Sequence, residues 1–232
     1  MAMLSGDKWM KAALQADQGD FFDNNLMPVS FPMIMVEYGT IDNYIAANPT
    51  GHKEDRTKVK AVVYGLSFAR SAREIARSLK MPVAEAQQII DNFLGAAYDF
   101  AAWRENVKMA AVDPSKRDML VSPFGRRFQS EIVTSKNFAD VQREALAFLP
   151  QATASDICLT TGIRINKPLQ RQGYHIFNIV HDALMIEGPE DRAEEIGKYV
   201  AAELQETGRM VFGNDVPFLA DYSIGDSWAD LS

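Results

Sequence analysis

The alternation of apolar and polar positions reads as mostly helical over the first two thirds of the chain, then changes period. Residues from about Asp7 to Ala16 are expected to form a short helix, and Gly19 to Ser30 a loop. A second helix is expected through Phe31 to Ala47, stopped by a turn at Asn48-Pro49-Thr50-Gly51. Lys53 to Leu79 is strongly helical in composition, and Met81-Pro82 marks a break, with Pro at the start of the next helix. That helix, Val83 to Ala111, is rich in Ala, Gln and Glu and ends before Asp113-Pro114-Ser115. Met119 to Ser122 suits a short strand ahead of the tight Phe124-Gly125-Arg126-Arg127. A helix from Phe138 to Arg164 contains Pro150, whose ring removes one hydrogen bond and crowds the preceding turn, so a kink is expected there. Next, GYHIFNIV and ALMIE are rich in β-branched and aromatic residues and flank a polar His181-Asp182 pair, which predicts a hairpin. A helix from Pro189 to Thr207 and a strand near Pro217 to Gly225 complete an α+β arrangement, a mostly helical subdomain packed on part of an antiparallel sheet.

Composition narrows the class. With 232 residues and 47% hydrophobic content, the chain can bury a core as one large domain or two closely packed subdomains. It has no internal repeat, low-complexity tract or flexible linker. The opening MAMLSGDKWM lacks a basic n-region, and Asp7 interrupts the apolar run that a signal peptide needs. No stretch approaches the roughly 20 apolar residues of a membrane span. The single cysteine, Cys158, is expected to be a small buried hydrophobe, and a cytoplasmic setting is expected.

The formal net charge of −7 argues against a nucleic-acid partner until its distribution is considered. Lys53 to Lys80 holds eight Lys/Arg against three acids, whereas Glu187 to the end holds eleven acids against three basic residues. A basic middle could face phosphates while the acidic end faces water or protein. Charge alone favours the plainer reading, a solvated helix face.

RTKVKAVVYGLSF sets Arg56, Lys60, Tyr64 and Phe68 at steps of four, along one helix face about 18 Å long. Two cations followed by a ring suit a nucleoside triphosphate, with guanidinium and ammonium on the phosphates and the ring on sugar or base. Val59, Val62, Val63 and Leu66 supply the apolar face that anchors such a helix.

This Arg-x3-Lys-x3-Tyr-Gly run resembles the nucleotide-binding motif on the fingers helix of family A DNA polymerases. The resemblance continues in order through SAREIARSLKMPVAEAQQIIDNFLGAAYDFAAW, SPFGRRF, QATASD, IVHDALMIE and VPFLADYSIGDSW, covering essentially the whole chain. It implies that Arg56, Lys60, Tyr64 and Phe68 bind the incoming nucleotide, with Lys60 also serving the chemistry. It further implies that Gln151, His181, Arg126 and Arg127 contact DNA, and that Asp182 is a catalytic Mg²⁺ ligand. Residues 1–136 correspond to the start of the polymerase fragment and the fingers, and 137–232 to the palm with its catalytic hairpin. The chain departs from the family pattern at Phe68, where a second Tyr is usual, at Ala147 in place of Asn, and at Ala183 in place of Glu.

Two-metal phosphoryl transfer needs more than one carboxylate. In the family the other Asp precedes the sequence resembling LSGD at residues 4–7, and that motif is not found here. Three explanations stay open: a split, phage-type polymerase whose second polypeptide supplies the missing motif and thumb, a noncatalytic DNA-binding or interaction remnant, or an artificial truncation. The first implies primer-template DNA, dNTPs and a partner chain as binding partners, with two Mg²⁺ per complete site.

Overall fold

A computed structural model describes residues 1–15 and 20–231, which divide into two compact units. One comprises Met1–Val121 with Arg127–Leu149, the other Ser122–Arg126 with Pro150–Ser232. Among the described residues the extended structure is one two-stranded antiparallel hairpin, so the chain is α+β.

The first unit begins with α1 (Ala2–Ser5) and α2 (Lys8–Gln15). The expected first helix therefore starts close to Asp7, while its predicted end at Ala16 lies outside the described residues. Asp20 to Ser30 is not the expected loop, and Gly19 is likewise not described. A π-helical turn, Phe22–Leu26, leads directly into α3 (Met27–Ser30), with Leu26 and Met27 fully buried. The predicted Phe31–Ala47 helix is two helices, α4 (Pro32–Tyr38) and α5 (Ile41–Ala47). Gly39 takes a left-handed φ of 75°, and the Thr40 hydroxyl accepts from the Asn43 N–H to start a new helix.

Asn48-Pro49 ends α5 as expected, and it also starts the next helix. The Asn48 side chain accepts from the Gly51 N–H, and Pro49 occupies the first position of α6 (Pro49–Ser67), where its missing N–H costs nothing. The predicted helix to Leu79 also breaks in two. α6 ends at Ser67, Ala69 takes φ 55°, and Ser71 and Glu74 form a capping box that begins α7 (Ala72–Leu79). At Gly65 a β-carbon would lie 2.9 Å from Ile75 Cδ1, so a larger residue there would require the Ile75 side chain of α7 to shift.

The expected Val83–Ala111 helix is divided at Ala97 into α8 (Val83–Ala96) and α9 (Tyr98–Val112). Ala97 has no side-chain acceptor for the start of α9. Asp7 supplies one from 93 residues away: one carboxylate oxygen caps α2 through the Met10 N–H at 2.7 Å, and the other takes the Phe100 N–H at 2.9 Å. Leu26, Met27, Val59, Val62, Ile75, Ile89, Phe93 and Phe100 form one core, and Val107, Ala111, Leu120, Phe128, Val141 and Leu146 a second. The predicted strand at Met119 to Ser122 is reduced to an isolated bridge between Val121 and Arg127.

α10 (Phe138–Gln170) contains Pro150, runs six residues past the predicted end at Arg164, and carries the chain from the first unit into the second. In the second unit, β1 (His175–Val180) pairs with β2 (Ala183–Glu187), His175 opposite Glu187 and Val180 opposite Ala183, with a register shift between Ile176 and Asn178. α10 lies against this hairpin at Gly162, where a β-carbon would meet Leu184, Ile176 and Ile179 at 3.5 to 3.8 Å. The next predicted helix begins with a 3-10 turn, Glu190–Arg192, and continues as α11 (Ala193–Phe212), ending beyond Thr207. α10 and α11 are joined by a buried Thr161–Thr207 hydroxyl pair at 2.7 Å and by the Arg164–Glu203 ion pair at 2.8 Å. Ile165, Leu169, Tyr174, Ile196 and Val200 fill the core between them.

The segment at Pro217 to Gly225 is not a strand. Its aromatic side chains fasten it to α11 instead: Phe218 stacks on Phe212, and the Tyr222 hydroxyl donates to Glu194 at 2.6 Å. Among the described residues no helix is long and apolar enough to cross a membrane.

Candidate nucleotide, DNA and metal sites

α6 has one apolar side, Val59, Val62 and Leu66, buried in the core. That anchoring turns the opposite stretch outward and leaves Tyr64 56% exposed. Arg56, Lys60 and Tyr64 follow one another along the helix and meet a single ring, Phe22. The Arg56 guanidinium carbon lies 5.5 Å from the ring centre and the Lys60 ammonium 5.0 Å, while the Tyr64 ring centre is 6.1 Å away at a 45° tilt. Phe68 does not share this arrangement. It caps the end of α6, with φ −104° and its N–H on Tyr64 and Gly65, so the predicted four-step ladder has three rungs on the helix.

The two cations differ in their electrostatics. Arg56 is paired with Asp20 and, at 3.0 Å, with Asp23, whose same oxygen lies 2.9 Å from His52 Nε2. Burial pushes the Asp20 carboxyl upward, but the Asp23 and Phe22 backbone N–H groups and the Arg56 guanidinium outweigh it and hold the group below its ordinary range. Lys60 has no carboxylate partner among the described residues. It is a partly buried cation with uncompensated charge. The basic stretch around these residues is otherwise unevenly paired, since Lys58 bonds Asp55 and Glu85 while Arg73, Arg77 and Lys80 form no ion pair among the described residues.

In the second unit His181 and Asp182 make the two-residue turn between β1 and β2, both exposed. His181 adopts φ 54°, the left-handed conformation, which His enters more readily than most non-glycine residues. Asp182 makes no hydrogen bond or ion pair among the described residues. Its charge is still felt on α10: burial, and secondarily the Asp182 carboxylate, push the buried Cys158 thiol up to about 11. Cys158 is thus the small buried residue its apolar surroundings suggest. Among the described residues no group of three or more His, Cys, Asp or Glu is arranged to hold a metal ion. A lone exposed carboxylate on a fixed turn suits a hard cation such as Mg²⁺, as one ligand of several.

Gln151 is exposed on α10. Five residues later Asp156, nearly buried, receives Arg126 through Nε at 3.2 Å and Nη2 at 2.5 Å, and this pairing raises the Arg126 pKa. Arg126 therefore offers its remaining N–H groups to any further partner. Arg127 belongs to the first unit, where its side chain lies 3.4 Å from Asp118 and is open to solvent. Sequence reading missed Asp20, Phe22, Asp23 and His52. The first three sit where a loop was expected, and no periodicity marks them as neighbours of a helix more than thirty residues on.

A sequence model described as DNA polymerase family A matches residues 1–230. The chain is 26% identical to the thermostable DNA polymerase I of Thermus aquaticus over 75% of its own length and 20% of that enzyme's. It is 25% identical to the DNA polymerase I of Chloroflexus aurantiacus over 90% of its length and 22% of the relative's. The chain thus spans about a fifth of the length of these relatives. A solved structure, the polymerase domain of an M. smegmatis enzyme in complex with DNA primer-template and dNTP, matches with a TM-score of 0.70 at 24% identity. It covers 93% of this chain and 35% of the other.

Proposed function

Because the chain belongs to DNA polymerase family A, we propose that it is the C-terminal fingers and palm portion of a template-directed DNA polymerase, adding dNTPs to a primer 3′-hydroxyl. In this reading residues 1–136 hold the start of the fragment and the fingers, and 137–232 the palm with the catalytic hairpin. The observation that carries it is the placement of Arg56, Lys60 and Tyr64 along one side of α6, with a Lys60 charge that no carboxylate among the described residues cancels. Lys60 and Arg56 bind the triphosphate, and Tyr64 packs on the sugar. Phe68 completes the nucleotide site from the end of α6.

Gln151, His181, Arg126 and Arg127 contact primer-template DNA. Family A DNA polymerases generally use Mg²⁺. Asp182, which has no hydrogen-bond or ion-pair partner among the described residues, would hold it at the hairpin turn, where Mg²⁺ would lower the charge barrier to phosphoryl transfer. The other catalytic carboxylate, and the thumb, would be supplied from outside residues 1–232, and a partner chain is the source this reading favours.

Lys60→Ala and Arg56→Ala are each expected to weaken nucleotide use by roughly 10- to 100-fold, the loss of a charge-assisted contact of about 1.5 to 3 kcal/mol, with primer-template binding little changed. Arg56→Ala should also lower the thermal midpoint, because it strands Asp20 and Asp23, whereas Lys60→Ala should not. Nucleotide titration and DNA anisotropy on the same preparations decide this. Equal loss in both assays removes the nucleotide assignment.

Tyr64 keeps a hydroxyl beside the sugar, and the family resemblance implies that Tyr there tolerates a missing 3′-hydroxyl better than Phe. Tyr64→Phe is expected to incorporate dideoxynucleotides less readily relative to deoxynucleotides. Unchanged discrimination in a termination assay would place the ring away from the sugar.

A further inference from the structure

We infer that Phe22 is a positioning residue of the nucleotide site, holding the Lys60 ammonium in place without cancelling its charge; this rests on the triphosphate-binding reading of Lys60 and Arg56. A long lysine side chain is either left free, which costs ordering when an anion arrives, or tethered. The usual tether is a carboxylate, and Arg56 has two of them, Asp20 and Asp23. A carboxylate neutralises the cation it fixes, so an incoming phosphate must compete with it. An aromatic face attracts the cation through its quadrupole and carries no net charge. Lys60, 5.0 Å from the Phe22 ring centre, is therefore fixed at one side and keeps its positive charge and N–H donors for a phosphate.

The ring is itself held firmly. It packs against the first unit's core and edge-on to Phe21, with ring centres 5.8 Å apart. The Asp20 carboxylate accepts the Phe22 N–H at 2.8 Å and the Asp23 N–H at 3.2 Å, so the same side chain that pairs with Arg56 sets the backbone that presents the ring. Tyr64 meets the ring's other neighbourhood at 6.1 Å. One segment, Asp20 to Asp23, thus touches all three outward residues of α6 and treats its two cations differently. Arg56 reaches a phosphate with its charge already shared with two carboxylates, whereas Lys60 has no carboxylate partner among the described residues.

The test measures binding of a fluorescent mant-dATP to the full chain, with inorganic tripolyphosphate as competitor. Phe22→Leu, which keeps an apolar side chain of similar bulk but no quadrupole, is expected to weaken both ligands by about 5-fold. Phe22→Trp, which keeps an aromatic face, should stay within about twofold of the parent. In a Lys60→Ala background Phe22→Leu should have no further effect. If Lys60→Ala weakens binding but Phe22→Leu does not, or if the two losses simply multiply in the double variant, the ring's role is overturned while the nucleotide site stands. Should Leu and Trp weaken binding alike, Phe22 is packing only and the proposal fails. If neither Lys60→Ala nor Arg56→Ala alters mant-dATP binding, the nucleotide reading falls and Phe22's role with it.

Discussion

In a complex with a chain that supplies the other catalytic carboxylate, Asp182→Asn is expected to slow primer extension roughly a thousandfold while leaving primer-template binding within about twofold. The substitution keeps the shape of the side chain and removes its charge. The neutral amide oxygen is a poorer ligand for a hard cation, and a loss of about 4 kcal/mol in the transition state corresponds to the stated factor. The fold should tolerate the change, because Asp182 is exposed at the turn and makes no hydrogen bond or ion pair among the described residues. Cys158 provides an internal control. With the Asp182 charge removed, its thiol should titrate at a lower pH than the about 11 of the parent, which thiol-reagent kinetics across pH can follow. The assay is extension of a labelled primer with Mg²⁺ by this chain, by a second polypeptide carrying the other catalytic carboxylate motif, and by their mixture. Activity of the variant mixture within tenfold of the parent would exclude Asp182 as a metal ligand. Robust synthesis by this chain alone would exclude the need for a partner, and inactivity of every mixture would favour a noncatalytic DNA-binding remnant.

Asp7→Ala is expected to destabilise the first unit by about 3 kcal/mol and to lower its thermal midpoint by roughly 6 to 12 °C. The Asp7 side chain is fully buried and is the acceptor at the starts of two helices, α2 through Met10 and α9 through Phe100. Alanine leaves both backbone N–H groups inside the protein without a partner. Asp7→Asn keeps one oxygen acceptor and should lose about half as much, so the ordering parent, Asn, Ala in a calorimetric melt is part of the prediction. A midpoint for Asp7→Ala within 2 °C of the parent would mean that water or a neighbouring group replaces the carboxylate.

The two sites differ in how much of them could be read along the chain. Spacing alone places Val59, Val62 and Leu66 on one side of a helix and Arg56, Lys60 and Tyr64 on another, and the structure has those apolar residues buried and Tyr64 exposed. The switch from helical to alternating period likewise marks the hairpin and leaves His181-Asp182 at its turn, where the polar pair is found. These features are local, repeated every turn or every second residue, so a sequence determines them before any tertiary contact exists. Helix breaks are less legible. Composition favours helix straight through Ser67 to Ser71, and only the capping box of Ser71 and Glu74 announces the new start. A similar failure removed the strand expected at Pro217 to Gly225, where the ring contacts of Phe218 and Tyr222 with α11 take precedence over strand-like composition.

Tertiary structure alone decided which partners these side chains have. Asp20 and Asp23 reach Arg56 across 36 and 33 residues, Asp7 reaches the Phe100 N–H across 93, and Arg126 reaches Asp156 across 30. No periodicity encodes such pairs, because they form only after separate helices have packed and closed the intervening chain. The sequence therefore determined that α6 would present two cations and a ring, and that a carboxylate would stand at the hairpin turn. Packing decided that one cation is tied to carboxylates while the other rests on an uncharged ring, because only the folded chain brings the segment from Asp20 to Asp23 against α6.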